Sequence, residues 1–210
     1  MIYDCPKAGS PLQQGDIFRN IPCPKLDDKF IEVFGEDENI LETTWEDFAE
    51  CGEQADALVT VTPVIAIVGT QSCDALRSPE ITLFEIKPFV QVTGEGQNIE
   101  SPSKWEKIIT KSPRINQKWF YLPPDATLNF KDRMAADFRL VVSVPRQVLV
   151  GLRAFRIGRL KNSAAQHFRE RVGEFFRRFP YDEWYPLTRV ELDAYKKRQK
   201  MKVRHFSWQK

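Results

Sequence analysis

Pro63-Val-Ile-Ala-Ile-Val-Gly-Thr-Gln-Ser-Cys-Asp-Ala-Leu76 decides how this chain is read. The uncharged, β-branched run over residues 59–68 predicts a strand buried on both faces. Pro63 cannot donate to a ladder, so an edge position or a bulge is expected there. Gly69 permits a sharp turn. Thr70, Gln71, Ser72, Cys73 and Asp74 then bring two hydroxyls, an amide, a thiol and a carboxylate within five residues. Polar groups at the end of a rigid strand are well placed to line a pocket. The same groups also hydrogen-bond tight turns. Both readings stand on these residues alone.

On the N-terminal side, residues 1–14 read as an irregular lead-in with Pro6, Gly9 and Pro11. A turn at Gly15 and Asp16 leads into a short strand. Ile17, Arg19 and Ile21 share one face, Phe18 and Asn20 the other, and Pro22 and Pro24 close it. Residues 27–56 are acidic. Within them residues 30–34 predict a strand and Gly35 a turn. Thr43 with Glu46 forms a capping-box pattern that opens a helix to about Glu50, stopped by Gly52. A solvated insertion between two barrel strands is the expected role of this segment, with a partner-binding surface as the competing one.

On the C-terminal side, residues 81–92 predict a long strand bent near Pro88. Ser103 with Glu106 caps a short helix to about Lys111, ended before Pro113. Residues 118–124 predict a strand whose aromatic triplet packs a core in preference to stacking bases. Residues 136–144 form the last strand expected, and Pro145 starts a helical turn through Val148 and Leu149. The final quarter reads as helical. Ala164, Ala165, Phe168, Val172, Phe175, Phe176 and Phe179 recur at spacings of three and four, with Ser163 and Gln166 as a capping box and Pro180 as the stop. Thr188 with Glu191 caps a second helix to roughly Lys200, with Leu187 and Leu192 as a hydrophobic staple.

The net charge of +2 conceals a division. Residues 1–110 hold 8 Lys and Arg against 20 Asp and Glu, a net of −12, and residues 111–210 hold 23 against 9, a net of +14. The halves either attract each other within one fold or present a basic surface to nucleic acid or an acidic partner. Candidate binding residues follow: Gln71 and Cys73 in the polar loop, Arg169, Arg177 and Arg178 on the first helix, and Lys196, Lys197, Arg198, Lys200, Lys202, Arg204 and Trp208 in the tail. From residue 196 to residue 210 there are seven Lys or Arg and no acid, with Phe206 and Trp208 interleaved. A solvated tail and phosphate contact with aromatic stacking both fit that composition.

The cysteines, Cys5, Cys23, Cys51 and Cys73, lack metal-ligand spacing and are expected as free thiols. With only His167 and His205 as histidines, no metal site and no cofactor are expected, and His167 reads as a residue at the boundary of the packed stripe. No run approaches the about 20 apolar residues of a membrane span, and the first residues lack the pattern of a signal peptide. A cytoplasmic protein without membrane contact is expected. Walker-type, dinucleotide-binding and serine-hydrolase motifs are absent.

Gly15-Asp-Ile-Phe-Arg19, followed by Pro63-Val-Ile-Ala-Ile-Val-Gly-Thr-Gln-Ser72, resembles the MazF/PemK-like group of prokaryotic toxins. The resemblance implies an α+β chain built on a small, strongly bent β-barrel, often dimeric. It further implies Arg19 as a charge-stabilising residue and Thr70 or Ser72 as the hydroxyl of a metal-independent endoribonuclease. Gln71-Ser-Cys-Asp74 is also similar to a Gln-Ser/Thr-Cys-Asp signature found beside prokaryotic defence and stress genes, which carries no catalytic assignment. The expected organisation is a barrel-like domain over residues 1–155, with insertions at about 27–56 and 94–117. A helical extension over residues 156–210 packs on it.

Three functions follow as expectations. The first is a non-catalytic interaction module of a prokaryotic defence or stress-response system, holding a protein or nucleic-acid partner. The second is the endoribonuclease, in which Arg19 stabilises the transition state, Thr70 or Ser72 positions phosphate and Asp74 serves as acid or base. The third is DNA binding through the helix pair.

Overall fold

The computed structural model describes residues 2–35, 39–93 and 118–177, together with Arg189, Val190, Asp193, Ala194 and Lys197. Met1–Phe176 forms one compact unit and Arg177–Lys210 a second.

The first unit is α+β. Its main sheet is antiparallel and curls into a half-barrel. Its strands are β1 (Tyr3–Asp4), β2 (Asp16–Lys25), β6 (Thr60–Val68), β7 (Glu80–Pro88), β8 (Trp119–Leu122), β9 (Met134–Pro145) and β10 (Arg156–Leu160). They lie in the order β1-β10-β2-β6-β7-β9-β8. The run anticipated at residues 59–68 is β6, but burial on both faces holds only for its second half, which lies between β2 and β7, whereas Thr60–Pro63 are exposed and pair with β2 alone. Pro63 is tolerated because β7 pairs only with residues 65–68 of β6, while Pro63 faces Pro22 of β2. A missing N–H therefore costs no ladder bond on the β7 side.

Alternation along these strands loads both faces, except that in β2 the register shift between Phe18 and Ile21 puts Ile21 on the face of Phe18 and not, as expected, on that of Ile17. Ile17, Ile67, Phe84, Ile86, Phe138 and Leu160 form one core. Phe18, Ile21, Val64, Ala66, Val68, Ile81 and Leu83 form the other. The first is covered by a helix at Asn162–Phe176, whose Ala164 and Phe168 are buried. Phe168 meets Phe84, Phe120 and Phe138 at ring separations of 5.2 to 6.3 Å. The second is closed by Leu12 and by Leu149 of the helix at Arg146–Gly151. In chain order the helices are α1 (Trp45–Cys51), α2 (Ser72–Ala75), α3 (Phe89–Thr93), α4 (Arg146–Gly151) and α5 (Asn162–Phe176).

Residues 30–58 build a separate antiparallel sheet of β3 (Phe30–Phe34), β4 (Ile40–Thr44) and β5 (Ala57–Leu58), in the order β4-β3-β5, with α1 following β4. None of its residues is buried.

Several expectations are corrected. β2 continues through Pro22 and Pro24 to Lys25, because it pairs with β6 as far as Thr60. The cap of α1 is Thr44, whose Oγ1 accepts from the Asp47 N–H at 3.1 Å, while Thr43 stays in β4 opposite Ile31. Gly52 ends α1 at φ 65° as anticipated. The strand from residue 81 stops at Pro88, and α3 replaces its expected continuation; Phe89 N–H donates to Arg133 O there. Ser163 lies inside α5, which begins at Asn162. The segment after residue 155 opens as β10, held between β1 and β2, so β10 and α5 belong to the first unit. The aromatic triplet packs as anticipated: Phe120 lies against the first core, and Trp119 and Tyr121 meet Phe89 edge to face. The expected 94–117 insertion, the Ser103 cap and the Thr188 cap lie outside the described residues.

All four cysteines are free thiols. Among the described residues no helix is long and apolar enough to cross a membrane, and no group of three His, Cys, Asp or Glu is placed to hold a metal ion.

Candidate functional site

The polar loop after β6 is fixed by its neighbours. A Cβ on Gly69 would stand 2.4 Å from Phe84 Cε2, so glycine is required here by the close approach of an aromatic ring. Gly69 N–H donates to Thr82 O at 2.8 Å, and Thr70 Oγ1 accepts from Thr82 N–H at 2.8 Å. The Thr70 hydroxyl thus ties the loop to β7. Ser72 opens α2, and its Oγ accepts from Gln14 N–H at 3.2 Å. Asp74 forms an exposed ion pair with Arg77 at 3.0 Å. Gln71 and Cys73 are exposed, with the Cys73 thiol 4.0 Å from Gln71 Oε1.

The segment beside this loop is residues 13–16. Gly15, at φ 89°, lets the chain turn between β6 and β10: its N–H donates to Val68 O and its carbonyl accepts from Leu160 N–H. Gln14 is buried and points both ways. Its Nε2 donates to Gly69 O at 2.7 Å, and its Oε1 accepts from Arg169 Nε at 3.1 Å. The amide therefore links the polar loop to α5.

Asp16 is fully buried between two arginines of β10. Arg159 approaches it with Nε at 2.5 Å and Nη2 at 2.9 Å, and Arg156 with Nη1 at 3.2 Å. The Gln13 N–H also donates to Asp16 at 3.0 Å. The guanidinium of Arg156 donates onward to the carbonyls of Lys7, Ser10 and Pro11 and to the Ser10 hydroxyl, and Arg159 donates to Pro11 O. A buried charge is tolerable only when paired and fully hydrogen-bonded, and this cluster meets that condition. Two cations on one carboxylate leave it a net positive charge.

These elements border an open cleft of about 810 Å³. Gln13, Gln14 and Ser72 line one side. Asp4, Arg159 and Lys161 line another, and the first two turns of α5, through Asn162, Ser163, Gln166 and Arg169, complete it. Arg159, Lys161 and Arg169 stand against one carboxylate, Asp4, on its walls. Neither Lys161 nor Arg169 has a carboxylate partner among the described residues, and the Ser72 hydroxyl has no bond there to a histidine or carboxylate. The arrangement suits holding an anion. Among the described residues none is placed to activate Ser72 as a nucleophile.

Other candidates are placed elsewhere. Arg19 lies with Asn20 at the irregularity where β2 shifts register against β6. It is exposed and makes no hydrogen bond or ion pair with residues 70–74 among the described residues. Arg177 is exposed in a turn, and Lys197 is exposed and helical. Arg178, Lys196, Arg198, Lys200, Lys202, Arg204 and Trp208 lie outside the described residues. His167 is exposed on α5.

Four groups beyond the cleft have shifted ionisation, among them the Tyr121 phenol, which burial raises. Burial raises the Tyr3 phenol well above its usual range, and its hydroxyl donates to Pro123 O at 2.9 Å. The Thr127 hydroxyl lowers the Asp125 carboxyl, with Thr127 and Leu128 N–H adding to the effect. Asp137 raises Arg139 through a two-pronged contact at 2.7 and 2.8 Å.

Sequence reasoning missed Gln14, Asp16, Arg156, Arg159 and Lys161 as members of the site. A dense hint was present in Arg-Ile-Gly-Arg-Leu-Lys over residues 156–161, three cations in six residues beside apolar alternation. No protein-family model, curated protein or solved structure matches the chain.

Proposed function

We propose that this protein is a non-catalytic interaction module that holds an anionic partner of the nucleic-acid class in the cleft at the head of α5. The observation that carries this is the convergence of Arg159, Lys161 and Arg169 on one cleft whose described lining holds one carboxylate, Asp4. The buried amide of Gln14 sets the position of Arg169, so part of this charge is preorganised before a ligand arrives. In this reading the chain is a MazF/PemK-like barrel carrying an acidic insertion, and serves a prokaryotic defence or stress-response system.

The test is fluorescence anisotropy with labelled 20-nucleotide single strands of RNA and DNA across a salt series. Binding should weaken steeply with salt. Lys161→Glu and Arg169→Ala should each weaken it at least fivefold, and Arg169→Ala should flatten the salt slope by about one. Binding that neither change moves would overturn the cleft as the site. RNA cleavage abolished by Arg19→Ala would replace this reading with the endoribonuclease.

A further inference from the structure

One face of the small sheet exposes apolar side chains beside a pair of carboxylates. Directly opposed residues in an antiparallel pair share a face. The register sets Phe30 against Thr44, Glu32 against Glu42, and Phe34 against Ile40, with Leu58 opposite Glu32 on the other side. This face therefore presents an apolar residue, then a pair of carboxylates, then an apolar pair. Phe34 is 44% exposed, Ile40 53% and Leu58 48%, large values for side chains of this size.

Glu32 and Glu42 are the unusual feature. Like charges directly across a ladder destabilise it. No lysine or arginine pairs with either among the described residues, although a cation between them would remove the repulsion. The surrounding chain does not supply one: residues 26–58 carry twelve Asp and Glu and one basic residue, Lys29. An exposed apolar row, Phe34 with Ile40, on one side and the half-buried Phe30 on the other flank this uncompensated anionic row, which calls for the complementary pattern from outside.

We propose that this face binds an extended, basic segment of a partner protein, with a Lys or Arg between Glu32 and Glu42 and apolar side chains on either side. Same-face residues of a strand repeat at about 7 Å, which matches the row spacing of the sheet itself. The fitting sequence is apolar-x-basic-x-apolar. Face-to-face pairing of two copies does not suit, because two such faces together would oppose four glutamates. Nucleic acid is excluded by like charge. The surface is distinct from the basic cleft, and the inference is independent of what that cleft holds.

The test uses the full chain and a fluorescein-labelled peptide, Leu-Ser-Lys-Ser-Leu-Ser-Lys-Ser-Leu, followed by anisotropy. Saturable binding is expected. A peptide with Glu in place of Lys, and one with Ser in place of Leu, should each bind at least tenfold more weakly. Glu32→Lys combined with Glu42→Lys should also lose at least tenfold, whereas Glu46→Lys combined with Glu50→Lys on α1 should change binding less than twofold. Equal losses from the two double reversals would show general attraction to an acidic protein and overturn the proposal. Absence of saturable binding by the parent chain would overturn it too, as would sedimentation showing self-association abolished by Ile40→Asp. Circular dichroism of each variant, with Glu32→Gln combined with Glu42→Gln as a milder pair, separates lost binding from lost folding.

Discussion

The two sheets of the first unit were made from similar residues and ended in different states. The seven-stranded sheet is loaded on both faces, and Ile17, Phe18, Ile67 and Leu83 on it have no or almost no exposure. The three-stranded sheet has phenylalanine, isoleucine, valine and leucine in comparable density and buries none of them. The difference lies in what covers them. α5, α4 and the N-terminal loop close over the large sheet, and nothing among the described residues does the same for the small one. Apolar content alone does not make a core; a second layer does. The large sheet is thus covered on both faces, and the small one leaves Phe34, Ile40, Leu41 and Leu58 exposed.

Substitutions can break this contrast at graded cost. Asp16→Ala should have the largest effect, since it strands Arg156, whose side chain is 2% exposed, beside Arg159 with no counter-charge. Losing one partner of a buried pair costs about 3–5 kcal/mol. Urea denaturation should show that loss, together with release of the loop at residues 7–11 in amide exchange. Phe168→Ala should cost about 3–5 kcal/mol by opening a cavity between α5 and the sheet. A loss below 1 kcal/mol would mean that α5 contributes little to covering that face.

Gly69→Ala should cost about 1–3 kcal/mol through overpacking against Phe84. The cost should shrink in a Phe84→Leu background, a coupling that a double-mutant cycle reads directly. Thr44→Ala should have the smallest effect, about 1 kcal/mol, because it removes one helix cap. That loss should appear as faster amide exchange in α1 and β4 while the main unfolding midpoint stays put. A global shift of the midpoint would show that the two sheets fold as one cooperative body.

Legibility in the sequence followed the same divide between local and distant forces. The stripe of α5, the strand at β6, the αL stop at Gly52 and the packing role of the aromatic triplet were all readable, because each is set by periodicity or by one residue's backbone freedom. β10 was not recognised: five residues of mixed basic and apolar type become a strand only because β1 and β2 flank them. α3 was missed for the reverse reason. Its Phe-Val-Gln-Val sequence favours a strand, yet Phe89 and Val92 bury against Ala135 in a helical turn.

Within the opening stretch, the sequence by itself determined a buried strand that ends in a tight polar turn, since an uncharged β-branched run and a following cluster of small polar residues require no distant partner. Only the tertiary structure decided what that turn meets. Gln14 bridges it to Arg169, 155 positions along the chain, and Asp16 meets Arg156 and Arg159 across 140 and 143. Such pairings arise from which strands lie side by side, and strand order is fixed by the burial of both sheet faces at once, a property of the whole chain that no local pattern of residues encodes.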